Sequence, residues 1–294
     1  MKNKQSIGVI MIAFAALLWS SNAPLIRWIS LDAFTVAGIR SLIAGFMLLP
    51  FFRPNRINFN WYFLGFIVCF AALTFGIIVA IKTTSSAIAL GMQYTSCIWL
   101  FIMSRPKRKE FLLSRIWPMI LLVAGVIVSM CSKTEGISFY GNLIAISTSF
   151  SFAGLTWFAK KVNTDNPIGL SSISNLVIGI VSLFIARPSI NTLTQIQTSE
   201  WIVLIYLGVF QIGVSYSLYY SGLRFVAGAT ASMIAPLEMI LGPVWTAIFL
   251  SEIPDLIGLI GFVVVVIGVL GEAIMTARCE KEKKSSIANL EGKT

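Results

Sequence analysis

The sequence predicts an all-α membrane protein of ten transmembrane helices. Apolar stretches long enough to cross a bilayer follow one another from Ile7 to Thr276, with only short polar breaks between them. A bilayer core needs about 20 apolar residues per helix. Hydrophobic residues make up 57% of the chain and charged residues 12%, against about 25% charged in a soluble domain. A span in lipid must satisfy its own backbone groups, and these runs are too long and continuous for the alternating strands of a barrel.

The ten segments are read as residues 6–28, 32–50, 60–81, 84–104, 114–132, 139–160, 168–187, 201–222, 227–250 and 256–276. Leu31-Asp32 parts the first two, and Arg53-Pro54-Asn55-Arg56 parts the second and third. The basic run from Arg105 to Glu110 follows the fourth, and Asn163 to Pro167 precedes the seventh. The first segment lacks a small-residue cleavage site and is read as a helix, not a signal peptide.

Charge placement predicts the orientation. With the N-terminus in the cytoplasm, only Arg27, Lys82, Lys133 and Arg187 lie outside, and Arg40 falls within a span. The remaining 17 of the 22 Lys and Arg lie inside, as the positive-inside rule requires. Both termini are therefore expected in the cytoplasm of a multi-pass protein of the cell membrane. The net charge of +10 is mostly topology, and nucleic acid is not expected as a partner. Residues 277–294 read as a polar, disordered cytoplasmic tail.

The two halves have a similar layout. The stretch from Gly8 resembles that from Gly141, the stretch from Ser85 that from Gly228, and the stretch from Trp117 that from Ile257. Each half holds five helices. An odd number obliges the second half to enter the membrane from the opposite side, which gives two inverted five-helix repeats over 8–132 and 139–275.

Five features carry a family resemblance. Trp19-Ser20-Ser21-Asn22 sits late in the first helix, and Arg40 lies in the second. The stretch from Tyr206 leads into Gly222-Leu223-Arg224, the stretch from Ala235 into the acidic turn Ser251-Glu252, and a glycine-rich helix starts at Gly258. In these the chain resembles the drug/metabolite transporter superfamily, of the ten-helix EamA type. It departs from the family pattern at Arg105 to Glu110, where an acidic turn is usual. The resemblance implies a secondary transporter of small metabolites, most often an exporter of amino acids or related compounds, working by alternating access. A lipid flippase or a channel-like facilitator of the same fold is the alternative.

An enzyme is not expected. Histidine is absent, which removes Ser-His-Asp and Cys-His catalysis and most zinc sites. The four cysteines show no CxxC spacing, and no phosphate-binding loop is present. No cofactor or metal is expected. The partners are a small-molecule substrate and the lipid bilayer; proton coupling and homo-oligomerisation are both compatible with the pattern.

The candidate substrate-binding residues are the polar groups inside the spans. Glu238 comes first, read as mid-helix in the ninth span. A carboxylate at the bilayer centre costs about 2.5–3.5 kcal/mol on insertion scales. It would bind an ammonium group, exchange a proton as the protein switches sides, or be held by neighbouring helices. Arg40 is the natural counter-charge, either for a substrate carboxylate or for Glu238. Trp19 and Asn22 belong to a polar-aromatic patch, and Pro24 after it frees a backbone carbonyl. Trp19 equally suits an interfacial belt. Gln211 and Tyr216 are the deep polar residues of the eighth helix. Gln93 and Tyr94 in the fourth match the neighbourhood of Glu238 in the repeat and should face it if the site lies between the halves. Trp157 is a further candidate. Glu252 and Asp255 are read as caps of the tenth helix, and Gly258, Gly261, Gly268 and Gly271 as close-packing positions.

Overall fold

The computed structural model describes residues 2–291 apart from 55–56, 104–112, 132–137, 163–165, 223–224, 227–233, 235, 252 and 254. The basic run after the fourth segment, the start of the ninth and Glu252 thus lie outside the described residues. Among the described residues the protein is helical throughout, without strands.

The first predicted segment is α1 (Lys2–Ser20) and α2 (Asn22–Trp28), joined by a break at Ser21. Pro24 has no N–H to offer the carbonyl four residues back, and Leu25 N reaches Ser21 O only at 3.5 Å. α3 (Ala33–Leu48) follows, its first turn capped by the Asp32 carboxylate, which accepts from Phe34 N and Thr35 N. Asn60 caps α4 (Trp61–Thr83) by accepting from Phe63 N. The fourth segment is broken too, into α5 (Ser86–Tyr94) and α6 (Ser96–Met103). Thr95 causes the break, its hydroxyl and N–H both turning back to Met92 O. α7 (Leu113–Met130) and α8 (Phe139–Val162) come next. Asn166 caps α9 (Pro167–Ala186) with Pro167 at its first position.

A short surface helix, α10 (Ile190–Thr194), was not legible in the hydropathy and precedes α11 (Thr198–Tyr206). From α11 the chain runs through a wide π-helical stretch, Leu207–Val214, into α12 (Ser215–Gly222). α13 (Leu237–Leu250) and α14 (Leu256–Glu291) complete the chain. Asp255 caps α14 by accepting from Gly258 N at 2.9 Å. The expected disordered tail is corrected here: α14 continues as one helix to Glu291. The tail is rich in Lys, Glu and Ala, and no Gly or Pro occurs before Gly292, so nothing stops the helix at the bilayer surface.

Among the described residues six helical runs are long and apolar enough to cross a membrane: Gln5–Trp28, Ala33–Phe51, Trp61–Thr83, Phe139–Ala159, Ile168–Ala186 and Thr198–Tyr219. Three shorter apolar helices accompany them, Ile116–Met130, Leu237–Leu250 and Leu256–Glu272. Burial is distributed as a bilayer demands. Phe184, Ile190, Phe249 and Trp61 lie outward, while Arg40, Ser41, Gln93, Ser172 and Asn175 are buried. In water the reverse would hold.

The helices pack in pairs: α4 on α8, α3 on α9, and α7 on α14. The last pair meets through small residues. A Cβ on Gly125 would lie 2.8 Å from Val265 N and 2.9 Å from Gly261 O, and one on Gly268 2.9 Å from Pro118 O. With hydrocarbon on every side, helices gain by packing backbone to backbone. α1, α5, α13 and the π-helical stretch gather in the middle and bring the buried Ser20, Gln93, Gln211 and Glu238 with them.

Candidate functional site

Every interruption of helix in the middle of the molecule lies beside the same small cavity. The α1/α2 break contributes Trp19 and Asn22, and the end of α5 contributes Gln93. The π-helical stretch contributes Gln211 and Ile212, and the start of α13 contributes Glu238. Arg40 from α3 and Tyr216 from α12 complete the polar lining. The remaining walls are Phe70, Leu73, Ile77 and the buried Thr74 of α4 and Phe152 of α8. The volume is about 60 Å³, room for roughly four waters.

Seven of the nine sequence candidates therefore line one cavity, and Tyr94 joins them through Glu238. Its hydroxyl donates to Glu238 Oε2 at 2.8 Å. Glu238 lies in the first turn of α13. A helix start carries partial positive charge from its free N–H groups and suits a carboxylate. Arg40 is 3% exposed and Glu238 8%, yet neither neutralises the other. Arg40 Nη1 donates to Asn22 Oδ1 at 2.9 Å and to Gln211 Oε1 at 3.5 Å.

Geometry explains how Gln211 gets there. A π turn inserts extra residues into the helix and turns its faces. Gly208 lets the turn press against α3, where a Cβ would lie 2.6 Å from Ile43 Cβ and 2.9 Å from Arg40 O. Trp19 packs against Tyr216 and Tyr219, with ring centroids 5.1 Å away in both cases. It belongs to the interior and not to an interfacial belt. Three buried polar atoms on lining residues have no hydrogen-bond partner among the described residues: Trp19 Nε1, Arg40 Nε and Gln93 Oε1. Such groups cost about 1–3 kcal/mol each while unsatisfied.

Trp157 is elsewhere. It packs on Tyr62 and Phe158, with Lys161 Nζ 5.6 Å above its ring. That is the setting of an anchor near a helix end. Phe70, Leu73, Thr74, Ile77 and Phe152 were missed. Apolar lining residues carry no sequence signal that separates them from core.

One end of the bundle beside this region is tied together by main-chain contacts. Lys82 Nζ donates to Ile29 O at 2.7 Å, and an Arg27 guanidinium N–H donates to Thr84 O. The ends of α2 and α4 thus clasp one another reciprocally. Ser30 N and Ser30 Oγ both donate to Glu200 Oε1, at 2.9 and 2.6 Å, which adds the start of α11 to the clasp.

The fold is that of a helical membrane protein with a polar cavity among interrupted helices. The comparisons narrow it. Residues 139–272 match the model of the EamA-like transporter family, a part of the drug/metabolite transporter superfamily. The fold is similar to that of a solved structure titled "Crystal structure of protein". The two share 16% identity at a TM-score of 0.64, over 94% of this chain and 99% of that one. No curated protein matches the sequence.

Proposed function

We propose that the protein is a secondary transporter that exports small metabolites, such as amino acids or related compounds, across the cell membrane by alternating access. The proposal includes ten spans arranged as two inverted five-helix repeats, with both termini in the cytoplasm. One observation carries it: Arg40 and Glu238 line the same small cavity without pairing. A carboxylate in a substrate would meet the guanidinium and Trp19 Nε1, and an ammonium would meet Glu238 and Gln93 Oε1. Each end of a zwitterion would then find partners that the protein leaves unsatisfied. The cavity's size supports an occluded, substrate-free form that widens when the halves move apart. Glu238 is the group proposed to take up a proton in place of the ammonium.

The test is metabolite uptake into proteoliposomes, with and without an imposed pH gradient, for the native protein and Glu238→Gln. The expected outcome is saturable uptake of an amino acid, driven by the gradient and lost in the variant. Saturable uptake that Glu238→Gln leaves intact would make Glu238 structural. No uptake of any water-soluble compound would overturn the proposal in favour of a flippase.

A further inference from the structure

A second and larger cavity lies outside the polar one, open to the lipid-facing surface. It is lined by Leu25 and Trp28 of α2, Ile202 and Val203 of α11, and Trp245 and Phe249 of α13, and measures about 680 Å³. Ligand pockets commonly span about 300–1,000 Å³. Its rim is continuous with the exposed apolar belt, since Trp28, Ile202 and Phe249 are all exposed. All three helix ends lie on the side of the clasp, so the groove opens within the leaflet of that side.

We propose that this groove is a binding site for one acyl chain of a membrane lipid. Two of its polar side chains, Trp245 and Ser21, are bound within the protein. Trp245 Nε1 donates to Ser20 Oγ at 3.0 Å, and Ser21 Oγ donates to Leu18 O at 2.7 Å and lies 3.3 Å from Tyr206 Oη. The rest of the lining is aliphatic or aromatic, which favours an apolar occupant. A helix of a second copy fits poorly. Membrane helices associate through small residues, whereas this rim is built of Trp28, Trp245, Phe249, Leu250 and Ile202. The glycine of α13 points the other way, because a Cβ on Gly242 would meet Leu90 at 2.6 Å. A flexible hydrocarbon chain fills a narrow cleft between bulky side chains at little packing cost. No basic side chain lines the groove, so the tail and not a phosphate head group is what it recognises. Seated there, the chain is a wedge between α2 of the first half and α11 and α13 of the second.

The test is photolabelling in phosphatidylcholine vesicles that contain a phosphatidylcholine with a diazirine in one acyl chain. Adducts are mapped by mass spectrometry. The expected result is a severalfold excess of adducts around Trp28, Ile202 and Phe249 over the similarly exposed Phe184 and Ile127. Ile202→Trp and, independently, Leu250→Trp fill the groove and should abolish the excess while labelling at Phe184 and Ile127 persists. Even labelling of native protein across all five positions would overturn the proposal. So would protein–protein crosslinks at Trp28 or Phe249 in place of lipid adducts. Neither result bears on whether the polar cavity transports a metabolite.

Discussion

At the residue scale the separation of Arg40 from Glu238 decides most. Arg40 is held by two side-chain amides, and its planar fork is what matches them. Arg40→Lys keeps the charge but loses that fit, so uptake should fall at least about tenfold, the loss expected for one misplaced charged contact. Proteoliposome flux measures it. Tyr94→Phe removes the hydroxyl that donates to Glu238. We expect a shift in the pH profile of transport with little change in thermal stability, and an unchanged profile would detach Tyr94 from the carboxylate's role. Polar side chains in apolar spans were legible because they are expensive there. Trp157 misled because an indole suits a cavity and an interface equally. Only its neighbour Lys161, one turn on, pointed to the interface. The apolar walls from α4 were not legible, since Leu73 and Ile77 read as ordinary core.

At the scale of elements, the breaks matter more than the helices. Hydropathy located the six runs long and apolar enough to cross a membrane among the described residues, because it measures length and composition. It did not locate the interruption at Thr95 or the π-helical stretch 207–214. Both depend on local hydrogen bonding, such as the Ser215 hydroxyl turning back to Gln211 O. Pro24 was the exception, a break announced by residue type. Pro24→Ala restores the missing N–H and favours a continuous α1–α2 helix. Substrate binding should survive in equilibrium assays while turnover falls severalfold; unchanged turnover would mean the break is not used in the cycle. The clasp at the other side of the cavity makes a second prediction. Lys82→Met removes the donor to Ile29 O, so a cysteine placed at Leu31 should react faster with a membrane-impermeant thiol reagent in intact cells. Equal reactivity would show that the clasp does not hold that end shut.

Across the whole molecule, the sequence conveyed the inside-out distribution of polarity well and the packing partners poorly. Gly261, Gly268 and Gly271 of the last helix were legible as contact positions, but that α7 is their partner was not. Gly125→Leu should lower the melting temperature of the detergent-solubilised protein, at a cost of about 1–3 kcal/mol for overpacking. The unpaired charges of the cavity have an electrical consequence. With Glu238 ionised, the empty site holds one positive and one negative charge, and its reorientation moves no net charge. With Glu238 protonated, Arg40 remains uncompensated, and the same motion carries one positive charge through the field. A membrane potential of 100 mV then biases that step by about 2.3 kcal/mol. If the proposed alternating access holds, the protonated empty carrier is a voltmeter, and its return should speed up or stall as a potassium diffusion potential is reversed.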